Sequence, residues 1–231
     1  MNLREFAGLI FLLGLGVLLI AVLTTLPYSN SLTGVGNNIL AQAPAEVGTA
    51  NIVTAVVLAY RGLDTLGELL ILFVASTAVG MILSKAPGTA SVTPPLSNTS
   101  TGFVFSAAAS LLFPFLILLG SYVILHGHLT PGGGFQGGAI LAAAFFIPIL
   151  VSPASPFKHA VSSLLETVAG LVFIGIGLVA LFGSGYFLAP LGHPGTPGAL
   201  LSAGSLPFLY LAVGIKVGAE LAGIVAHLAQ P

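Results

Sequence analysis

Long apolar runs separated by short polar stretches set the pattern of this chain. Six runs are apolar over about 17 to 24 residues, the length that crosses a bilayer as a helix. They are Phe6–Leu26, Asp64–Leu83, Phe103–Leu125, Phe135–Val151, Ala160–Gly183 and Leu206–Leu228. Most have no polar face, so they predict helices surrounded by lipid or protein rather than water. A further apolar stretch, Asn51–Tyr60, is too short to span. It predicts a short interfacial or re-entrant helix leading into Arg61. The first run is longer than a signal-peptide core, and Thr24-Thr-Leu-Pro27 fits a cleavage site poorly, so it reads as a retained helix. The expected fold class is all-α, a polytopic membrane protein with about six transmembrane helices.

The polar stretches organise these runs. Pro27–Gly48, rich in Asn, Ser, Thr and Gly, predicts a surface loop. Lys85–Gly102 holds Pro87, Pro94 and Pro95 among Ser, Thr and Asn, a composition that favours extended chain. The expected organisation is a block of two spanning helices over 1–85, a linker over 86–102, and a block of four over 103–231. Asn98-Thr-Ser100 fits a glycosylation sequon, a short pattern that recurs by chance. Ser184–Gly204, with Pro190, Pro194, Pro197 and His193, predicts another polar loop. With six spans, Arg4, Lys85 and Lys158 share one side and Arg61 lies on the other. The positive-inside rule then predicts a multi-pass protein of the cell membrane with both termini cytoplasmic.

Composition narrows the function classes. Charged residues are 5% of the 231 and hydrophobic ones 56%, far from the charge density that keeps a soluble domain dissolved. Five cations cannot build a nucleic-acid-binding face. The absence of cysteine excludes disulfides, thiolate nucleophiles and cysteine-held clusters. No cofactor is expected in this chain, and redox chemistry would belong to a partner.

Ionisable groups inside spanning runs cost about 2.5–3.5 kcal/mol each on insertion scales, so the few present here are informative. Asp64 and Glu68 stand at i and i+4 on one helical face, with Arg61 a turn before Asp64. They read either as a carboxylate pair that passes H+ or Na+, or as a helix-end charge paired with Arg61. Glu166 follows Ser162 and Ser163, which offer a cap for a helix with Glu166 near its positive end. Its alternative is a carboxylate on an ion path or in contact with a neighbouring subunit. Lys216 and Glu220, again at i and i+4, fall near the middle of the last run among Gly214, Gly218 and Gly223. They read as a proton relay or as a buried pair that locks two helices together.

The most distinctive stretch is His126-Gly-His-Leu-Thr-Pro-Gly-Gly-Gly-Phe-Gln-Gly-Gly138. His126 and His128, two apart, cannot share a helical face, which disfavours a common metal. They predict imidazoles at a helix end, bonding free carbonyls, with titration near neutral pH open to them. Pro131, Gly132, Gly133, Gly134, Phe135 and Gln136 form neither a phosphate loop nor a dinucleotide fingerprint, since no Lys-Ser/Thr follows and no strand precedes. The glycines predict a tight re-entry between two helices, with exposed peptide groups able to line a wet cavity.

This stretch closely resembles the signature of the B subunit of Mrp-type multisubunit Na+/H+ antiporters. The order of flanking features fits as well: a helix opening with Leu165-Glu166 and a last helix with Gly214-Ile-Lys-Val-Gly-Ala-Glu220. The resemblance covers about 103–231. Asn51-Ile-Val-Thr-Ala-Val-Val-Leu-Ala-Tyr-Arg-Gly-Leu-Asp-Thr-Leu-Gly-Glu68 resembles the end of the large A subunit of the same antiporters, an element also found as a small subunit of archaeal membrane-bound hydrogenases and sulfur reductases. The resemblance implies a fusion joined within the linker. It also implies that Asp64, Glu68, Glu166 and Lys216 occupy the positions of the family's intramembrane charges. The long proton-channel domain of the A subunit has no counterpart here, which implies that the pumping chains are partners.

Two expectations follow. In the first, the chain helps form the Na+ and H+ path of an Mrp-type module and is not itself an enzyme. Its partners are A/D-like proton-channel chains, small C-, E-, F- and G-like subunits, the lipid bilayer and, in a respiratory setting, hydrogenase-like redox subunits. In the second it is a structural adaptor that carries no ion.

Overall fold

A computed structural model of the chain describes residues 3–25, 34–83, 102–151 and 159–229. Its helices are α1 (Leu3–Thr25), α2 (Gly34–Glu46), α3 (Ile52–Thr54) continuing into a π-helical segment (Ala55–Tyr60), α4 (Gly62–Leu83), α5 (Phe103–Leu125), α6 (Gly134–Val151), α7 (His159–Ser184) and α8 (Leu206–Ala229). Among the described residues there is no strand. The apolar runs α1, α4, α5, α7 and α8 are long enough to cross a membrane. α6, with 18 residues, is shorter, about 27 Å at helical rise. The chain is a multi-pass membrane protein. The Lys85–Gly102 linker and its sequon, apart from Gly102, lie outside the described residues, as does Lys158.

The chain divides into two units, 1–38 and 39–231. Within the first, α1 leaves its large side chains exposed, from Phe6 to Leu23. A helix apolar all round finds its surroundings in lipid or other protein.

Within the second unit α8 is the hub. α6, α7 and α4 pack directly against it, and α5 packs against α6. The α6–α8 contact is close because glycines form it. A Cβ on Gly134 would stand 2.6 Å from Val213 Cβ, and one on Gly138 would stand 2.8 Å from the Gly214 carbonyl. Small residues spaced four apart let two transmembrane backbones approach this way. α4 turns a single seam inward: Thr65 and Leu69 are buried, and Leu72, Ser76 and Gly80 follow half-buried at helical spacing.

The loop expected over Pro27–Gly48 is corrected. Residues 34–46 form α2, with Pro44 inside it. Ile39, Ala43 and Val47, four residues apart, join the core. Burial of that stripe outweighs the weak helix propensity of the Gly and Asn residues around it. The short element at Asn51–Tyr60 is helical as expected, but most of it is π-helix. Its i→i+5 pattern closes with the Arg61 N–H donating to the Val56 carbonyl at 2.8 Å. Thr65 Oγ1 donates to the Val57 carbonyl at 2.7 Å and takes up an acceptor that the wider turn leaves free.

Candidate ion-handling site

The intramembrane charges of α7 and α8 come together. Lys216 Nζ lies 2.5 Å from Glu220 Oε1 and 3.8 Å from Glu166 Oε1. The i, i+4 spacing places the first pair on one face of α8. Glu166 reaches it because α7 packs on that face, where Gly170 lies against the Lys216 stem. The pair is deeply buried, with Glu220 at 1% exposure and Lys216 at 9%. The Phe73 ring of α4 stands 5.3 Å from the ammonium, at cation–π range. Glu220 Oε2 is buried without a hydrogen-bond partner.

Glu166 therefore differs from the cap-side charge the serines suggest. α7 begins at His159, a turn earlier, so Ser162 and Ser163 lie inside it. Ser162 Oγ donates instead to the Ala219 carbonyl of α8 at 3.0 Å. The Ser163 carbonyl accepts from Thr167 Oγ1.

Asp64 and Glu68 stand apart from this cluster. Asp64 lies in the first turn of α4 and forms an exposed 2.5 Å pair with Arg61. Glu68 is exposed on the same helix. Among the described residues no ion pair joins either one to Lys216, Glu166 or Glu220. Phe73, five positions after Glu68, connects α4 to the cluster, about 7.5 Å further along the axis.

The glycine-rich stretch is a clasped turn between α5 and α6. Asn51 Nδ2 donates to the carbonyls of Gly127 and Thr130 at 2.8 and 3.0 Å. Thr54 Oγ1 donates to the Gly127 carbonyl at 2.7 Å and accepts from Tyr210 OH at 2.6 Å. The His128 carbonyl accepts from Thr49 Oγ1 at 2.6 Å and from the Asn51 N–H. The expected lining of a wet cavity is thus corrected at these carbonyls: the segment before α4 occupies them. Gly132, Gly133 and Gly134 make the turn, and a Cβ on Gly132 would meet the Val123 carbonyl at 2.9 Å. Phe135 packs against the core, whereas Pro131 and Gln136 are exposed.

The two histidines have different fates. His126 Nδ1 bonds the Tyr122 carbonyl at 3.1 Å, as expected of an imidazole at a helix end, and its ring stacks on Tyr122. His128 also bonds a carbonyl, but one of a distant loop rather than of its own helix end. It is fully buried, and its Nε2 meets the Leu200 carbonyl at 3.1 Å, tying the turn to the 185–205 loop. Burial holds its pKa below the usual 6.5. Among the described residues no cluster of His, Asp or Glu has metal-binding spacing.

Sequence reading does not find Phe73, Thr54 or Tyr210, and it gives Ser162 a capping role in place of the bond to α8. Each acts through a contact with a distant segment, and nothing local marks an aromatic ring or hydroxyl for that role.

Comparison with known proteins shows what the chain is similar to. Residues 104–223 match the domain related to the MnhB subunit of Na+/H+ antiporters, and residues 4–99 match the MbhE component of MBH. An uncharacterized protein of Methanocaldococcus jannaschii is 33% identical over 201 residues, 74% of each chain. A chain of the membrane-bound sulfane sulfur reductase, an archaeal respiratory membrane complex, is 38% identical, with 98% of both chains covered and a TM-score of 0.78. A chain of the Mrp complex from Dietzia sp. DQ12-45-1b is 25% identical with a TM-score of 0.74; it covers 99% of this chain, which spans 26% of that one. With more than half its length in the matched domain, this chain belongs to the family related to the MnhB subunit of Na+/H+ antiporters.

Proposed function

We propose that the chain is a non-catalytic membrane subunit of an Mrp-type cation/proton antiporter module within a respiratory complex, and that it lines part of the ion path. The observation that carries the ion-path role is the Lys216–Glu220–Glu166 cluster. Two of its members lie in the interior of α8, the most buried of the spanning helices, the third reaches them from α7, and one carboxylate oxygen is left without a partner. A purely structural pair needs no third charge and no unpartnered acceptor. Asp64 and Glu68 form an outer station on α4, the helix that also brings Phe73 to the cluster.

The ions handled are Na+ and H+, and the chain holds no cofactor of its own. Its partners are A/D-like proton-channel chains, small C-, E-, F- and G-like subunits and, in the respiratory setting, redox subunits that supply the driving reaction. The likeness to a chain of a sulfane sulfur reductase complex supports that setting. Both termini face the cytoplasm, by the distribution of Lys and Arg. The two matched parts join within 86–102.

The test is transport by the purified complex in proteoliposomes. Glu220→Gln and Lys216→Ala, each in a complex of unchanged subunit content, abolish cation-driven proton movement. Intact transport with either substitution, or loss of assembly in its place, makes the chain an adaptor instead.

A further inference from the structure

Two carboxylates and one ammonium leave the cluster, in which Glu220 and Lys216 are buried and Glu166 is half-buried, one negative charge in excess. Lys216 is the cation paired with both Glu220 and Glu166 among the described residues. An uncompensated charge at this depth is costly, so the resting cluster holds a further positive charge. The atom able to take it is Oε2 of Glu220, a residue 1% exposed, because that oxygen has no hydrogen-bond partner.

The surroundings of that oxygen select the ion. Inside a membrane, Na+ exchanges its hydration shell for several oxygens, commonly the carbonyls of unwound helices. α7 and α8 run unbroken through this region. The Ala219 carbonyl already accepts the Ser162 hydroxyl. Among the described residues, unwound backbone lies elsewhere, in the 185–205 loop and in the glycine turn, where the carbonyls of Gly127, His128 and Thr130 are bonded to Asn51, Thr49 and Thr54. The Lys216 ammonium on Oε1 repels any second cation that must approach as a full sphere of charge. A proton needs a single oxygen and, once bound, turns a carboxylate into a neutral acid.

We propose that Glu220 and Glu166 share one proton beside Lys216, and that this cluster conducts H+ and excludes Na+. The proposal rests on the ion-path reading above and narrows it to one ion. The proton's site on Glu220 is Oε2, since Lys216 pairs with Oε1. A shift of the ammonium toward Glu166 favours the neutral acid at Glu220, which holds the proton; its return toward Glu220 favours the carboxylate there, and the proton passes to Glu166. The charged groups acting on Glu220 are Lys216 of its own helix and Glu166 of α7. α6 has no titratable side chain, and α5 has Tyr122 at its far end. α4 presents the Phe73 ring and carries Asp64 and Glu68 earlier. Tyr60 and Arg61 precede α4, while Tyr210 and His227 lie toward the two ends of α8.

The intact complex in its membrane is treated with dicyclohexylcarbodiimide, which reacts with protonated carboxyls in apolar surroundings, and the labelled residue is read by mass spectrometry. Labelling of Glu220 or Glu166 that is lost at alkaline pH and unaffected by Na+ is the expected result. The infrared band of a protonated carboxyl, present in the native complex and removed by Glu220→Gln, is expected with it. Protection by Na+ at constant pH overturns the proposal in favour of a Na+ site. Absence of both labelling and band overturns it in favour of a cation supplied by a partner chain. Because labelling of the native complex requires no variant, it stands apart from the transport test. Normal labelling with transport intact in Glu220→Gln refutes the path and leaves the proton in place.

Discussion

Glu220 and Lys216 illustrate how a buried pair responds differently to losing one member or both. Removing one partner strands a charge and typically costs about 3–5 kcal/mol, whereas replacing both with apolar side chains is often neutral. Lys216→Met is therefore expected to lower the melting temperature of the complex, and Lys216→Met with Glu220→Leu and Glu166→Gln, which also removes the third charge, to recover much of the loss. Neither variant recovers transport. Thermal unfolding with a proteoliposome assay on the same preparations checks both. His128 gives a second prediction. Its pKa is lowered by burial, so the unfolded chain takes up the proton first as the medium acidifies. Stability is full above about pH 6.5 and declines below it. His128→Gln flattens that acid limb in a pH series of melting temperatures. The charges are legible in the sequence because lipid makes each one conspicuous. Their grouping is not: Glu166 and Lys216 are distant in the chain, and nothing in either segment announces that α7 turns this face to α8. Pairing Asp64 with Arg61 needs only the local spacing, and that pair is present.

At the scale of elements, two features hold the helices in place. The first is the glycine contact between α6 and α8. Gly138→Leu drives a side chain into the Gly214 carbonyl and Val217. Overpacking of this kind costs about 1–3 kcal/mol, and more where backbone must yield. The expected outcome is a complex that no longer retains this subunit through purification. The second is the hydroxyl relay from Tyr210 through Thr54 to the Gly127 carbonyl. Thr54→Val keeps the shape and strands both neighbours. The expected destabilisation is about 1–3 kcal/mol, the cost of a buried polar group without a partner. Tyr210→Phe is expected to be milder, because Thr54 keeps its carbonyl. The spanning helices are readable from apolar length alone. α2 is not, because its stripe of Ile39, Ala43 and Val47 is thin and broken by Pro44. The π-helical segment is not either, since one added residue in a turn leaves no mark on apolar periodicity.

Across the molecule, contacts tie the segment before and within α4 to the block that follows the linker. α4 packs on α8, and Thr49, Asn51 and Thr54 grip the glycine turn. Pieces covering 1–85 and 103–231, produced together, are therefore expected to co-purify and to restore the complex. Failure to associate under conditions where each piece inserts would show that the covalent link is required.

The enclosure of α8 bears on how the protein is made. A segment carrying Lys216 and Glu220 is a poor candidate for entering lipid alone, at about 2.5–3.5 kcal/mol for such charges near a helix centre. The helices that surround it are earlier in the chain and leave the ribosome first. They offer a ready-made berth at the moment α8 emerges, so that its charged face need never meet bare hydrocarbon. Biogenesis and ion handling thus draw on the same arrangement: the wall that shelters the charges in the finished subunit is the wall that admits them during synthesis.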